Sequence, residues 1–215
     1  MSGLEESWAL LESFRAGSLG KSVSKIENKL VGLTKSEVSS HLGQFGVSME
    51  LLLAALLIKR HAGQINEIVH AIGILLALPH ILDDGEVVEG LSLAAGNTGK
   101  GFDLETTKRI AEFTFINWQG GAEVIRQNKI FKDFYFLAEA ETNKQRELYV
   151  VGTFHPSKFF EGGRALLPIL KGNGKLGESF LAKYGERIKT VRDYYLLRKH
   201  LVAIRDLGEF IPALR

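Results

Sequence analysis

The chain has 215 residues, 45% hydrophobic and 24% charged, with a formal net charge of +2. That is the composition of an ordinary globular protein, long enough for one core plus a helical appendage. It contains no cysteine, which excludes disulfides, thiolate nucleophiles and cysteine-ligated zinc and fits a cytoplasmic setting.

The charge is unevenly spread. Gly63 to Glu112 holds eight acidic and three basic residues, a local −5, whereas Lys171 to Arg205 holds nine basic and three acidic, a local +6. An acidic centre beside a basic tail suits a cation site next to a polyanion. Two solvated faces that never meet give the same count. No basic start followed by an apolar run opens the chain, so no signal peptide is read. The most apolar segments, Leu51 to Ile58 and Ile72 to Leu78, fall well short of the roughly 20 residues that span a bilayer. They predict buried helices and no membrane partner.

In chain order, Leu4, Trp8, Leu11 and Phe14 recur at helical spacing, as do Val23, Ile26, Leu30 and Leu33. Thr34-Lys-Ser-Glu37 is a capping box that starts a third helix, broken by Gly43 and Gly46. Met49 to Ala62 predicts an apolar helix. Gly63 allows a bend into a second, Ile65 to Leu78, stopped near Pro79. After the Asp83-Asp84-Gly85 turn, Glu86 to Ala95 predicts a strand, and Phe102 to Thr106 with Arg109 to Ile116 a hairpin. Gly121 to Ala140 predicts a helix, Leu148 to Val151 a buried strand and Pro156 to Leu170 another helix. Beyond the Gly172–Gly174 break, a basic amphipathic helix is expected over roughly Ile188 to Ile204. The class is α/β: a small mixed sheet, in the order αβββαβ, flanked by helices and extended by helices at both termini.

With Thr107 and Lys108 at the hairpin tip, Asp103 and Glu112 face each other across an antiparallel pair, roughly 5 Å apart. Two carboxylates that close repel unless protonated or bridged by a cation, and oxygen donors of this kind suit Mg²⁺ or Mn²⁺. Thr114, two residues beyond Glu112, points to the same face. An exposed hairpin with scattered acids is the alternative.

The pattern Asp103, then Glu112-Phe113-Thr114, then a helix and a strand, resembles the PD-(D/E)XK nuclease superfamily over about Ile65 to Thr153. The resemblance implies an αβββαβ core in which Asp103 and Glu112 bind Mg²⁺ and Phe113 offers its carbonyl. It also implies an assisting glutamate on the preceding helix, here Glu67. Two departures stand out: Phe102 replaces the proline, and Thr114 replaces the lysine that orients the attacking water. Threonine is uncharged and is no base near neutral pH. Lys132, on the helix facing the sheet, is the expected substitute, with Arg126 second; Lys108 points away. The expected function is metal-dependent hydrolysis of DNA, weak or lost because of Thr114. A non-catalytic nucleic-acid-binding module on the same scaffold remains open. So does an interaction protein that dimerises or docks a partner through its N-terminal helices. In these terms residues 1–62 form a helical region, 63–170 the nuclease-like core and 171–215 a basic helical extension, together one compact unit.

Trp118-Gln119-Gly120-Gly121 opens the helix with free N–H groups suited to a phosphate, and Gln119, Gly120, Arg126, Asn128 and Lys132 line the approach. The alternative is a plain tight turn. Ala94 to Gly101 lacks the first glycine and the Ser/Thr of a phosphate loop. His61, His70 and His80 share no helical face, so no zinc triad forms. His70 follows Glu67 by three residues, within reach of it. The late Arg192, Tyr194, Tyr195 and Arg198 are expected to bury the tyrosines and expose the cations.

Overall fold

The computed structural model describes residues 2–15, 17–93, 101–116, 118, 124–172, 174–185 and 187–215. They divide into two compact units, 1–66 and 67–215. The first contains α1 (Ser2–Arg15), α2 (Leu19–Leu30), α3 (Lys35–Leu42) and the start of α4 (Met49–Ile81). The expected capping box opens α3, where the Thr34 N–H donates to the Glu37 carboxylate at 2.8 Å. Leu4 and Trp8 on α1 and Val23 on α2 are exposed while Leu11, Phe14, Ile26 and Leu30 are half-buried, so the apolar stripes read there are only partly covered.

Helix α4 corrects the sequence reading. It runs unbroken for 33 residues through Gly63 and takes Pro79 into its last turn. A glycine inside a helix costs only about 1 kcal/mol relative to alanine, and leucine, alanine and isoleucine on either side sustain the hydrogen-bond ladder. The helix is long and apolar enough to cross a membrane by length and composition alone, which neither expected half was. Leu52, Leu53 and Leu56 are exposed rather than buried as expected.

The second unit is built on a mixed five-stranded sheet whose strands lie side by side in chain order: β1 (Val88–Leu91), β2 (Leu104–Thr106), β3 (Arg109–Thr114), β4 (Gln145–Val150) and β5 (Ala203–Asp206). The first three pair antiparallel; β3, β4 and β5 run parallel. Helix α5 (Val124–Glu139) makes the crossover from β3 to β4. Helices α6 (Phe154–Phe160), α7 (Leu167–Lys171), α8 (Gly174–Tyr184) and α9 (Val191–Arg198) lie between β4 and β5. The fold is therefore α/β, a small mixed sheet flanked by helices.

Strand alternation decides what faces what. Leu104, Ala111, Phe113 and Tyr149 pack with Ile74, Ala77 and Ile81 of α4. Ile110, Leu148 and Val150 pack on the other side with Ile130, Phe134 and Leu137 of α5. Glu112 and Thr114, which alternate with Ala111 and Phe113, share the α5 side. On the opposite side α4 approaches closely at Gly73, where a methyl group would sit 2.1 Å from the Phe115 ring.

Two expected elements are revised and one helix is added. The Pro156–Leu170 helix is two short ones, α6 and α7, separated around Gly162 and Gly163. Helix α8 was not read at all. The late helix stops at Arg198, and residues 203–206 form β5. That edge strand has four residues and an exposed–half-buried alternation, too short a signal to stand out beside the helical pattern before it.

Two polar networks fix the unit. At the β2–β3 turn, the Thr106 hydroxyl oxygen accepts from the N–H groups of Lys108 (3.0 Å) and Arg109 (2.8 Å) and donates to Glu86. The Arg109 side chain, 6% exposed, bonds Glu86 at 2.7 Å and Glu147 at 2.8 Å, and the Tyr149 hydroxyl donates to Glu147 at 2.6 Å. At the far end of α5, Glu139 accepts from Tyr184 (2.5 Å) and Tyr194 (2.8 Å) and pairs with Lys183 and with Arg198 at 3.1 Å. Residues 171–215 thus belong to the same compact unit as the sheet.

Arg109→Ala leaves Glu86 and Glu147 buried without their cation, and removing one partner of a buried pair costs about 3–5 kcal/mol. Urea unfolding followed by near-ultraviolet circular dichroism is expected to show that loss, with α-helical content unchanged before the transition.

Candidate functional site

The β2–β3 register pairs Leu104 with Ala111 and Glu105 with Ile110. One step further along, Asp103 stands opposite Glu112, as expected. The two carboxyl groups act on each other in opposite senses, Asp103 raising the Glu112 carboxyl and Glu112 helping to hold Asp103 down, as neighbouring carboxyls do when one of them keeps its proton. Burial, with the charges of Asp133 and Asp103 behind it, pushes the Glu112 carboxyl up to about 9. Burial also acts against ionisation of Asp103, but hydrogen bonds outweigh it and hold that group below its ordinary value. The Phe113 N–H donates to Asp103 Oδ2 at 2.9 Å, and His70 Nε2 lies 3.2 Å from the same oxygen. Glu112 is therefore the protonated member near neutral pH, and Asp103 the ionised one.

His70 enters from α4, with its Nδ1 3.3 Å from the Leu93 carbonyl and its ring edge-on to Phe115. The hydrogen bond to Asp103 raises its basicity above the ordinary imidazole value, against the opposing effect of burial. The sequence suggested Glu67 as its neighbour; the structure gives it Asp103 instead. Glu67 is exposed on α4, one helical turn away.

On the α5 side the charge comes from Lys129. Its Nζ lies 2.7 Å from Asp133 Oδ2 and 3.3 Å from the Thr114 hydroxyl oxygen, and Thr114 Oγ1 is 3.5 Å from the same Asp133 oxygen. Partial desolvation of the ammonium, whose side chain is still 44% exposed, favours its neutral form, but the surrounding carboxylates, Asp133 first, outweigh this and raise its pKa. Burial pushes the Asp133 carboxyl up, against the pull of Lys129. Thr114 thus sits where expected and is in contact with an ammonium supplied by another element.

Lys132, the expected substitute, is corrected. It is exposed, with its Nζ 5.9 Å from the centre of the Phe136 ring. Residues 129 and 133 are four apart and share a face of α5, whereas position 132 is turned roughly 100° away from 133. Phe113 buries its ring against α4, leaving only its backbone beside Asp103. Arg126 is half-buried, three residues before Lys129, and Asn128 Oδ1 accepts from Arg164 at 3.4 Å. Gln119 and Gly120, and with them the expected phosphate-binding start of α5, lie outside the described residues.

Lys129 and Asp133 were missed in the sequence, although a signal exists. Asp133 interrupts the apolar stripe of Ile130, Phe131, Phe134 and Leu137, and a carboxylate in a buried stripe with a lysine four residues before it marks a paired internal charge.

Among the described residues no group of three or more histidine, aspartate or glutamate side chains is arranged to hold a metal. The donor set is the Asp103–Glu112 pair. It fits Mg²⁺ or Mn²⁺ in one respect: both carboxyls compete for a proton that a divalent cation would replace, and such ions bind through one or two carboxylates with water and phosphate oxygens completing the shell. No family model matches this chain, nor does any curated protein or solved structure.

A raised acid has a stated linkage. Folded Glu112 keeps a proton that the unfolded chain releases near its ordinary value of 4.5. Between about pH 5 and 9 stability therefore falls as pH rises. The depressed Asp103 acts only below its ordinary 3.8, outside that window. Glu112→Gln removes the loss, so its melting temperature relative to the parent protein is expected to rise steadily from pH 5 to pH 9. A constant difference across that range would contradict the proton kept on Glu112.

Proposed function

We propose that residues 67–215 form a divalent-metal-dependent nuclease of the PD-(D/E)XK type, hydrolysing phosphodiester bonds in DNA. The observation that carries the reading is the Asp103–Glu112 pair with the Lys129 ammonium on the same side of the sheet. The element order gives it further support: a helix, three antiparallel strands, a crossover helix and a parallel strand.

Asp103 and Glu112 would hold Mg²⁺ or Mn²⁺, which supplies a lowered water pKa and charge neutralisation at the scissile phosphate. The remaining work falls to the chain. Phe113 N–H and His70 fix the Asp103 carboxylate in one orientation through Oδ2. Lys129, whose side chain is 44% exposed, brings a positive charge to the solvent edge of the site, where a cation preoriented by Asp133 can meet developing negative charge. Asp133 holds that ammonium at 2.7 Å, and Thr114 offers a hydroxyl beside it. The threonine in place of the motif lysine is then compensated from α5.

Cleavage of supercoiled plasmid in Mn²⁺ or Mg²⁺ is the test. Asp103→Ala is expected to abolish it, Lys129→Ala to reduce it about 10²-fold or more, and Lys132→Ala to leave it within about twofold. Salt-sensitive DNA binding with no cutting in any metal would replace the enzyme by a binding module.

Metal binding has its own signature. At pH 7.5 Glu112 holds a proton, and ligation requires it to leave. Calorimetric titration with Mn²⁺ in two buffers of different ionisation enthalpy is expected to show release of about one proton, falling towards none in Glu112→Gln.

A further inference from the structure

A second feature of the same unit is not used by the metal-centred chemistry. A cleft of about 390 Å³ is lined by Trp118, Gln127, His155, Lys158, Phe159 and Arg164, with Gly162 at its edge. Trp118 follows Thr114 of β3 by four residues, and His155 follows Val150 of β4 by five. The cleft therefore lies beyond the carboxyl ends of two parallel strands, the end at which open α/β sheets bind ligands. Gln127 is on α5 two positions before Lys129, which ties the cleft to the candidate site through one rigid helix.

The lining separates into two chemistries. Trp118 and Phe159 form an aromatic wall, with ring centres 6.0 Å apart. The His155 imidazole stacks beside Trp118 at 6.1 Å and 29°. Lys158 is exposed at the rim, and Arg164, half-buried, reaches Asn128 through Nη2. The Trp118 indole N–H is the one buried side-chain polar atom without a partner among the described residues. Trp118 is only 8% exposed, so among the described residues this enclosed donor has no partner, a condition rare enough in native proteins to call for an explanation such as a bound group.

We infer that this cleft binds one nucleotide unit of a single strand, its phosphate between Lys158 and Arg164 and its base against the Trp118–Phe159–His155 wall. Aromatic faces accept any base and cations track the phosphate, and a volume of this size is at the small end of ligand pockets. The Gln127 amide can hydrogen-bond a base edge. The ligand's identity rests on the nuclease reading, but its binding does not need the metal pair, so the two can fail separately.

Trp8 and Trp118 are the two tryptophans, so Trp8→Phe leaves Trp118 as the sole indole reporter. In EDTA, deoxyadenosine 5′-monophosphate and a short 5′-phosphorylated single strand are each titrated against its fluorescence. Saturable quenching is expected with both. Affinity should fall at least tenfold in Lys158→Glu and in Arg164→Ala, and stay unchanged in Asp103→Ala. Lys158 is at the surface, so its variant folds and keeps the test decisive. A response to the strand alone would assign the cleft to polymer, and a response to both to any nucleotide; either supports the inference. Absence of quenching would overturn it, as would equal quenching in Lys158→Glu or inorganic phosphate binding as tightly as the nucleotide. Loss of plasmid cleavage in Asp103→Ala with nucleotide binding intact would show two independent sites. Nucleotide binding without any metal-dependent cleavage would remove the nuclease reading alone.

Discussion

The register of one short hairpin governs this unit. Side chains on a strand alternate, so a slip of a single residue between β2 and β3 would turn Glu112 and Thr114 to the α4 side and bring Phe113 out against α5. The turn prevents that slip. Thr106 satisfies two successive N–H groups through one hydroxyl oxygen, and Arg109 is locked between Glu86 and Glu147. These contacts are about 10 Å of strand away from Asp103, yet they determine which residue it meets. A structural ion network at one end of β3 thereby creates a chemical pair at the other.

The two charge clusters also differ in kind. Around Arg109, the carboxylates of Asp83, Glu86 and Glu147 converge on one guanidinium, Lys108 and Arg205 pair with Asp83 and Glu147, and every charge is answered. Around Glu112, three carboxyls gather near the Lys129 ammonium, and the excess negative charge is relieved by the proton that Glu112 holds. The first cluster gains nothing by accepting a visitor. The second is left short of positive charge, which a cation or the approach of a cation–phosphate complex would correct.

Much of this was legible in the sequence because it depends on local pattern. Alternation across Arg109–Ile116, a Thr-Lys tip and an aspartate at the matching distance suffice to place Asp103 opposite Glu112. The Thr34 capping box is likewise a four-residue signal. What was not legible depends on packing at a distance. Which lysine of α5 turns to the sheet is decided by the helix's rotation about its axis, and that rotation is set by Ile130, Phe134 and Leu137 meeting Leu148 and Val150. The partner of His70 lies 33 residues away in sequence. Strand β5 exists because β4 offers an edge for it, with few residues of its own to announce it. The continuity of α4 through Gly63 reflects a local penalty too small to break a long apolar helix.

Glu139 gives the C-terminal segment a role that its basic composition conceals. Two different elements, the end of α8 through Lys183 and Tyr184 and helix α9 through Tyr194 and Arg198, converge on this one carboxylate at the last turn of α5. A fragment cut at the end of α7 would leave Glu139 stranded and uncover Phe131 and Tyr135, which Tyr194 and Phe180 normally cover. The tail therefore acts as a clamp on the helix that aims Lys129, and a trimmed version retaining every acidic residue of the hairpin would still lack a rigid mount for the Lys129 ammonium.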